Sequence, residues 1–202
     1  MTKKKRIELP LLDEVESIHT SMYSSDLSEI NEDRYWEVPS YLSDNMVHTF
    51  RDYQNEALVH FHYSQVNSAF KHRNINHVLF NMATGSGKTD LMAGLILYLY
   101  QEHGYQNFLF LVDKRAIVQK TIDNLYNKSS DKYLFNDQIE LEGERITIRK
   151  VDVFPKVQMK NTIYLKLDTV QGVSSEIYAQ EENAMGEKDY SYNKVVILGD
   201  EA

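Results

Sequence analysis

Ala83-Thr84-Gly85-Ser86-Gly87-Lys88-Thr89 is the stretch that decides the fold. It follows an apolar run, His77-Val78-Leu79-Phe80-Asn81-Met82, which reads as a buried strand. It opens an apolar segment from Lys88 to Gln101 that reads as a helix. A glycine-rich turn between a strand and a helix is a phosphate cradle. Gly85 and Gly87 let the backbone turn tightly and aim its N–H groups at phosphate oxygens, with Thr84 and Ser86 completing the loop. The helix N-terminus adds the positive end of a dipole. Lys88 is placed to reach the β- and γ-phosphates, and the Thr89 hydroxyl to ligate Mg²⁺. ATP and Mg²⁺ are therefore the expected cofactors. Thr-Gly-Ser-Gly-Lys-Thr arises by chance in roughly one such chain in 10⁵, which sets aside a merely structural turn. One departure stands: Met82 occupies the position where the strict pattern begins with Gly.

Downstream, Asn107 to Val112 is a second apolar strand and Arg115 to Tyr126 a second helix. Arg145 to Arg149 alternates like an exposed strand continued by Val151-Asp152-Val153. Thr162 to Leu167 and Lys194 to Leu198 complete the strand set. Near-continuous apolar strands alternating with helices predict a parallel sheet with crossover helices. The expected class is α/β, a three-layer P-loop domain. Asp200-Glu201 follows the last strand, at the carboxyl edge where open α/β sheets bind ligands. There Asp200 holds Mg²⁺ and Glu201 polarises the attacking water, so Lys88, Asp200 and Glu201 form the expected catalytic set. Residues 179–193 are acidic and aperiodic and read as a surface loop. Upstream, Ala57, Leu58, Phe61, Val66 and Phe70 mark a helix within 52–71. Residues 1–46 show no clear period. They read as an N-terminal appendage that packs through Tyr23, Tyr35, Trp36 and Tyr41 on a domain spanning 47–202.

Composition narrows the class. Apolar residues make up 42% of the 202, enough for a core. Cysteine is absent, which removes disulfides and cysteine zinc sites and fits a cytoplasmic location. No apolar run reaches the roughly 18 residues of a membrane span, so no membrane partner is expected. The net charge of −8 counts against a module that holds nucleic acid by bulk charge, though not against a motor that touches the backbone at a few points. The basic start, Lys3 to Arg6, reads as a solvated, frayed terminus, with a phosphate-binding arm as the alternative.

Met82-Ala83-Thr84-Gly85-Ser86-Gly87-Lys88-Thr89 together with Asp200-Glu201-Ala202 resembles the superfamily 2 helicases of the DEAD/DEAH type. Their fold is RecA-like, and residues 48–202 correspond to an incomplete first helicase domain. Phe50-Arg51-Asp52-Tyr53-Gln54 resembles the motif ahead of the first strand. The resemblance implies that Gln54 reads the adenine edge, with Arg51 and Tyr53 in the same nucleotide contact. Phe110-Leu111-Val112-Asp113-Lys114-Arg115, running on to Gln119, resembles the motif Ia of restriction-enzyme motors, with Lys114 where Arg is commoner. Asp168-Thr169-Val170-Gln171 resembles the next nucleic-acid-facing motif. The resemblance places Lys114, Arg115, Thr169 and Gln171 against a nucleic-acid backbone. Such contacts do not distinguish DNA from RNA.

Among restriction motors, type I subunits carry a nuclease domain before the motor, and about 50 residues ahead of Gln54 are too few for one. The expected relative is the restriction subunit of type III enzymes: an ATP-dependent DNA translocase, partnered by a modification methylase, with any endonuclease domain after the motor. The alternatives are a repair or phage DNA or RNA helicase, and a nucleotide-dependent scaffold that does not hydrolyse. The chain is expected to be a fragment that binds nucleotide weakly by itself and turns over almost none.

Overall fold

A computed structural model describes residues 11–23, 37–67, 70, 77–179 and 185–200. The chain divides into two compact units. One comprises residues 1–39 and 51–81; the other comprises 40–50 and 82–202.

In the first unit, helix α1 (Leu11–Tyr23) packs on helix α3 (Asp52–Val66). Val15 sits fully buried with Tyr63 and Phe70, flanked by Leu11 and Ile18. The spacing Leu11, Val15, Ile18 is one face of a helix, a signal hidden among the polar residues of a segment read as aperiodic. Of the aromatics expected to seat that segment, Tyr35 and Trp36 and the Tyr23 side chain lie outside the described residues.

The second unit is a five-stranded sheet with helices. Its elements are α2 (Ser40–Asp44), α4 (Lys88–His103), β1 (Asn107–Val112), α5 (Arg115–Leu125), β2 (Ile139–Leu141), β3 (Glu144–Lys150), β4 (Thr162–Thr169), α6 (Val170–Ala179), α7 (Glu187–Tyr192) and β5 (Val196–Asp200). The strand order is β2-β3-β4-β1-β5. The β3–β4, β4–β1 and β1–β5 ladders are parallel, and β2–β3 alone is antiparallel. This is the RecA-like α/β arrangement, with one antiparallel edge strand added to the expected parallel sheet. β1 is buried on both faces, with Phe108, Leu109, Phe110 and Val112 in the core. That is why it reads as a continuous apolar run and not as an alternating one. Tyr41, on α2, donates its hydroxyl to Glu102 Oε1 at 2.8 Å.

Two expectations need correction. Residues 77–82 form no strand, and Leu79 is 90% exposed. The apolar run is only three residues long, and the Phe80 ring packs on Phe61 of α3, with centroids 5.8 Å apart. A strand exists only where a neighbour completes its ladder, and among the described residues no strand pairs with 77–82. The segment read as an acidic loop contains α7, and Met185 within it is buried in a cluster with Leu109, Phe154 and Tyr164.

Candidate functional site

The phosphate loop lies in the second unit. Gly85 has φ +76° and Gly87 φ +79°, the left-handed region that L side chains rarely adopt. Between them Ser86 turns the chain: its N–H and its Oγ both donate to the Ala83 carbonyl, at 3.2 and 2.6 Å. Gly87 is the N-cap of α4, and the first helical bond runs from Leu91 N–H to the Gly87 carbonyl. Lys88 folds back so that its Nζ donates to the Met82 carbonyl at 3.5 Å. The departure at Met82 is thereby explained. Only its backbone oxygen is used, and it does not have the positive φ that would require Gly.

These groups suit a polyphosphate. Left-handed glycines beside a helix N-terminus form a concave array of backbone N–H donors. The adjacent Thr89 hydroxyl is a hard oxygen donor of the kind Mg²⁺ takes. Asp90, in the first turn of α4, is held by His48, with 2.7 Å between Oδ1 and Nδ1. Phe50 is buried against the same helix, where Gly94 leaves room for its ring.

Asp200 ends β5, half-buried, directly opposite Val112 in the ladder. α4 packs against β5, so Thr89 and Asp200 belong to adjoining elements of one unit. Glu201 lies outside the described residues.

The other two motifs meet at the same sheet edge. Val112 pairs with Thr169 on one side and Asp200 on the other. At about 4.8 Å between strands, Thr169 and Asp200 are roughly 10 Å apart. Lys114, Arg115, Thr169 and Gln171 line one cleft of about 380 Å³, with Asp113, Gly172 and Ser175. Helices α5 and α6 both begin there, so two positive dipole ends open on it beside two cationic side chains. Thr169 is buried, and its Oγ1 accepts the Gly172 N–H at 3.0 Å, which makes it the cap of α6. Gln171 is exposed, as are Lys114 and Arg115. Sequence reasoning did not single out Gly172 or Ser175. The case for Gly172 is spatial: a Cβ there would sit 2.1 Å from Asp168 Oδ1.

Arg51, Tyr53 and Gln54 lie in the first unit, at the start of α3. Gln54 is buried, and its Oε1 accepts the Arg51 backbone N–H at 2.7 Å, a capping interaction. Arg51 Nη1 donates to the Tyr53 hydroxyl at 2.8 Å. The amide oxygen of Gln54 is thus engaged by its own helix, and contact with both polar groups of an adenine edge needs that cap to open.

Beneath α6 lies a buried ionic network. Lys166 of β4 donates to Glu176 Oε2 at 2.5 Å, with the lysine side chain only 6% exposed. Glu176 also accepts the Tyr190 hydroxyl and the Met185 backbone N–H, both at 3.1 Å. Burial raises the Glu176 pKa, but Lys166 and the other donors outweigh it and hold the carboxyl below its ordinary value. The network ties α6 to β4 and to α7.

The family model for the type III restriction enzyme res subunit matches residues 47–202. The chain belongs to that family. It is 36% identical over 184 residues to the probable type III restriction-modification enzyme HindVIP Res subunit of Haemophilus influenzae, a match covering 88% of this chain. The chain spans about a third of that relative's length, 35%. No solved structure matches it. The family's match takes in every motif described above, from Arg51 to the end of β5. Among the described residues, no helix is long and apolar enough to cross a membrane.

Proposed function

We propose that this chain carries the ATP-binding half-site of an ATP-driven DNA translocase, the motor of a type III restriction subunit. The observation that carries the reading is the phosphate loop: two left-handed glycines, a helix N-terminus and a lysine folded over the loop. Lys88 neutralises phosphate charge, Thr89 and Asp200 hold Mg²⁺, and Glu201 orients the attacking water. Gln54 selects adenine, with Arg51 and Tyr53 beside it. ATP with Mg²⁺ would supply a phosphoryl group whose transfer drives movement. Lys114, Arg115 and Gln171 hold the DNA backbone in the 380 Å³ cleft, where two helix N-termini favour phosphate. Residues 47–202 act as the ATP-binding domain, with 1–46 as its appendage. The protein works in the cytoplasm beside a modification methylase.

The test is Lys88→Ala in the full-length subunit, with phosphate release measured with and without duplex DNA. DNA-stimulated turnover is expected in the parent and none in the variant, because backbone N–H groups alone cannot replace the ammonium in the transition state. Equal turnover in the two at saturating ATP would remove the assignment. RNA stimulating as well as DNA would move the substrate class.

A further inference from the structure

A second cleft, of about 770 Å³, opens at the opposite edge of the sheet, between the end of α4, the start of β1 and the turn before β5. The phosphate loop lies at the other end of α4, whose 16 residues span about 24 Å. The cleft is therefore separate from the nucleotide half-site, and no motif described above reaches it.

Its lining is unusual for an acidic chain. Lys156 and Lys194 face it and no carboxylate does. Neither lysine forms an ion pair among the described residues. Lys194 has φ +49°, a left-handed position just past the end of α7 where glycine is the favoured residue. A lysine held there bears backbone strain that glycine would not. Tyr105 and Tyr192 also line the cleft, and Tyr192 is 76% exposed, so its ring can stack. The His103 ring packs near Tyr98 and Tyr105, and desolvation lowers its pKa, so it adds little charge near neutral pH.

The most specific feature is Asn107. It lines the cleft, is 1% exposed, and donates from Nδ2 to the Asn193 carbonyl at 2.7 Å. Its Oδ1 is buried with no hydrogen-bond donor among the described residues. An acceptor left so is destabilised, and a ligand that brings a donor relieves it once Oδ1 is uncovered.

We propose that this cleft binds a nucleoside phosphate. The two lysines meet the phosphate, a tyrosine ring stacks on the base, and Asn107 Oδ1 accepts a hydroxyl or an exocyclic amine. Aromatic rings interleaved with cations are how base-bearing chains are held without sequence preference. The volume lies in the range of small-molecule sites. The nucleoside phosphate comes either as a free nucleotide or as a unit of a single strand. The site does not depend on the phosphate loop being catalytic.

The experiment is equilibrium dialysis of labelled thymidine 5′-monophosphate and, separately, of a 5′-phosphorylated oligothymidylate of about eight nucleotides. Both are measured on full-length protein carrying Lys88→Ala, so that the phosphate loop is crippled throughout. Lys194→Gly and Lys156→Gln are compared with that parent. Each should weaken binding by about tenfold or more, the worth of one charge-assisted hydrogen bond. Lys194→Gly should melt at or above the parent temperature, because glycine suits the left-handed position; lost binding then cannot be unfolding. Equal affinity for the two probes assigns the site to free nucleotide. An oligonucleotide bound at least tenfold tighter, with the same lysine dependence, assigns it to a strand. No binding of either probe by the parent, or binding that neither substitution changes, overturns the proposal.

Discussion

Replacing Glu176 with alanine would strand a buried ammonium. Lys166 is 4% exposed and its cationic head meets Glu176 at 2.5 Å. Removing one partner of a buried pair typically costs about 3–5 kcal/mol, since the remaining charge is left in a poor solvent. The same change orphans the Tyr190 hydroxyl and the Met185 N–H, each worth about 1–3 kcal/mol when left without an acceptor. Relaxation around the partly exposed Glu176 absorbs some of the sum, so a total of at least about 4 kcal/mol is expected. The double variant Lys166→Met, Glu176→Leu removes both charges and should cost far less than the single one. Urea unfolding of the parent, Glu176→Leu, Lys166→Met and the double variant gives the cycle directly, with Glu176→Ala measured beside it. Linkage adds a pH signature. The Glu176 pKa is depressed in the folded state, so its stabilisation is present above the ordinary carboxylate range and is lost as pH falls through the folded value. A single-variant cost below about 1 kcal/mol, or additive singles, would mean that the network is solvated and does not clamp α6.

Gly172→Ala should displace the start of α6, because the new Cβ would meet Asp168 Oδ1 at 2.1 Å; weaker DNA binding with Lys88-dependent nucleotide binding intact is the expected result. Lys114→Ala with Arg115→Ala should lower the slope of log affinity against log salt by about 2; an unchanged slope would move the nucleic acid elsewhere. Gln54→Glu keeps an acceptor for the Arg51 N–H and so keeps the cap, whereas Gln54→Ala loses it. If Gln54 reads adenine, both variants should lose discrimination between ATP and GTP, while only alanine should lower the melting temperature.

The phosphate loop was legible because its physics is local. Two glycines, a lysine and a helix start fix the backbone wherever they occur, and Gly85 and Gly87 adopt the positive φ the motif demands. β1 and β4 were legible because strands buried on both faces leave long apolar runs, and β5 because its run was apolar even though Ile197 is exposed. What could not be read depended on partners distant in sequence. Residues 77–82 had the composition of a strand but no ladder. α1 had a helical face, but its Leu11, Val15 and Ile18 gain meaning only against Tyr63 and Phe70. Met185 looked like one apolar residue in a polar loop, and it is a core residue because Leu109, Phe154 and Tyr164 leave it a place. Thr169 and Gln54 were read as ligand contacts from resemblance, yet both side chains cap their own helices. A residue type at a motif position does not say which of its hydrogen bonds the fold has already claimed.

The site's precision raises one more physical question, which is what sets strand register. Alternating strands are pinned because a one-residue slip turns the apolar face to water. β1 has no such protection, since Phe108, Leu109, Phe110 and Val112 are buried whichever way they point. Polar anchors at the strand starts supply the missing constraint. The Asn107 amide holds the Asn193 carbonyl just before β5, and Gln106 Nε2 donates to the Met159 and Thr162 carbonyls at the head of β4. Tyr126 adds a hydroxyl bond to the Leu165 carbonyl, and Lys166 meets Glu176. Each would be lost in a slipped ladder, leaving buried groups without partners. Those anchors sit at or below the middle of the sheet, and the row they fix is at its far edge: Thr169 beside Val112 beside Asp200. A slip of one residue would carry Asp200 about 3.3 Å along the strand and to the other face. The polar residues remote from that edge are therefore what hold Thr169, Val112 and Asp200 in one row.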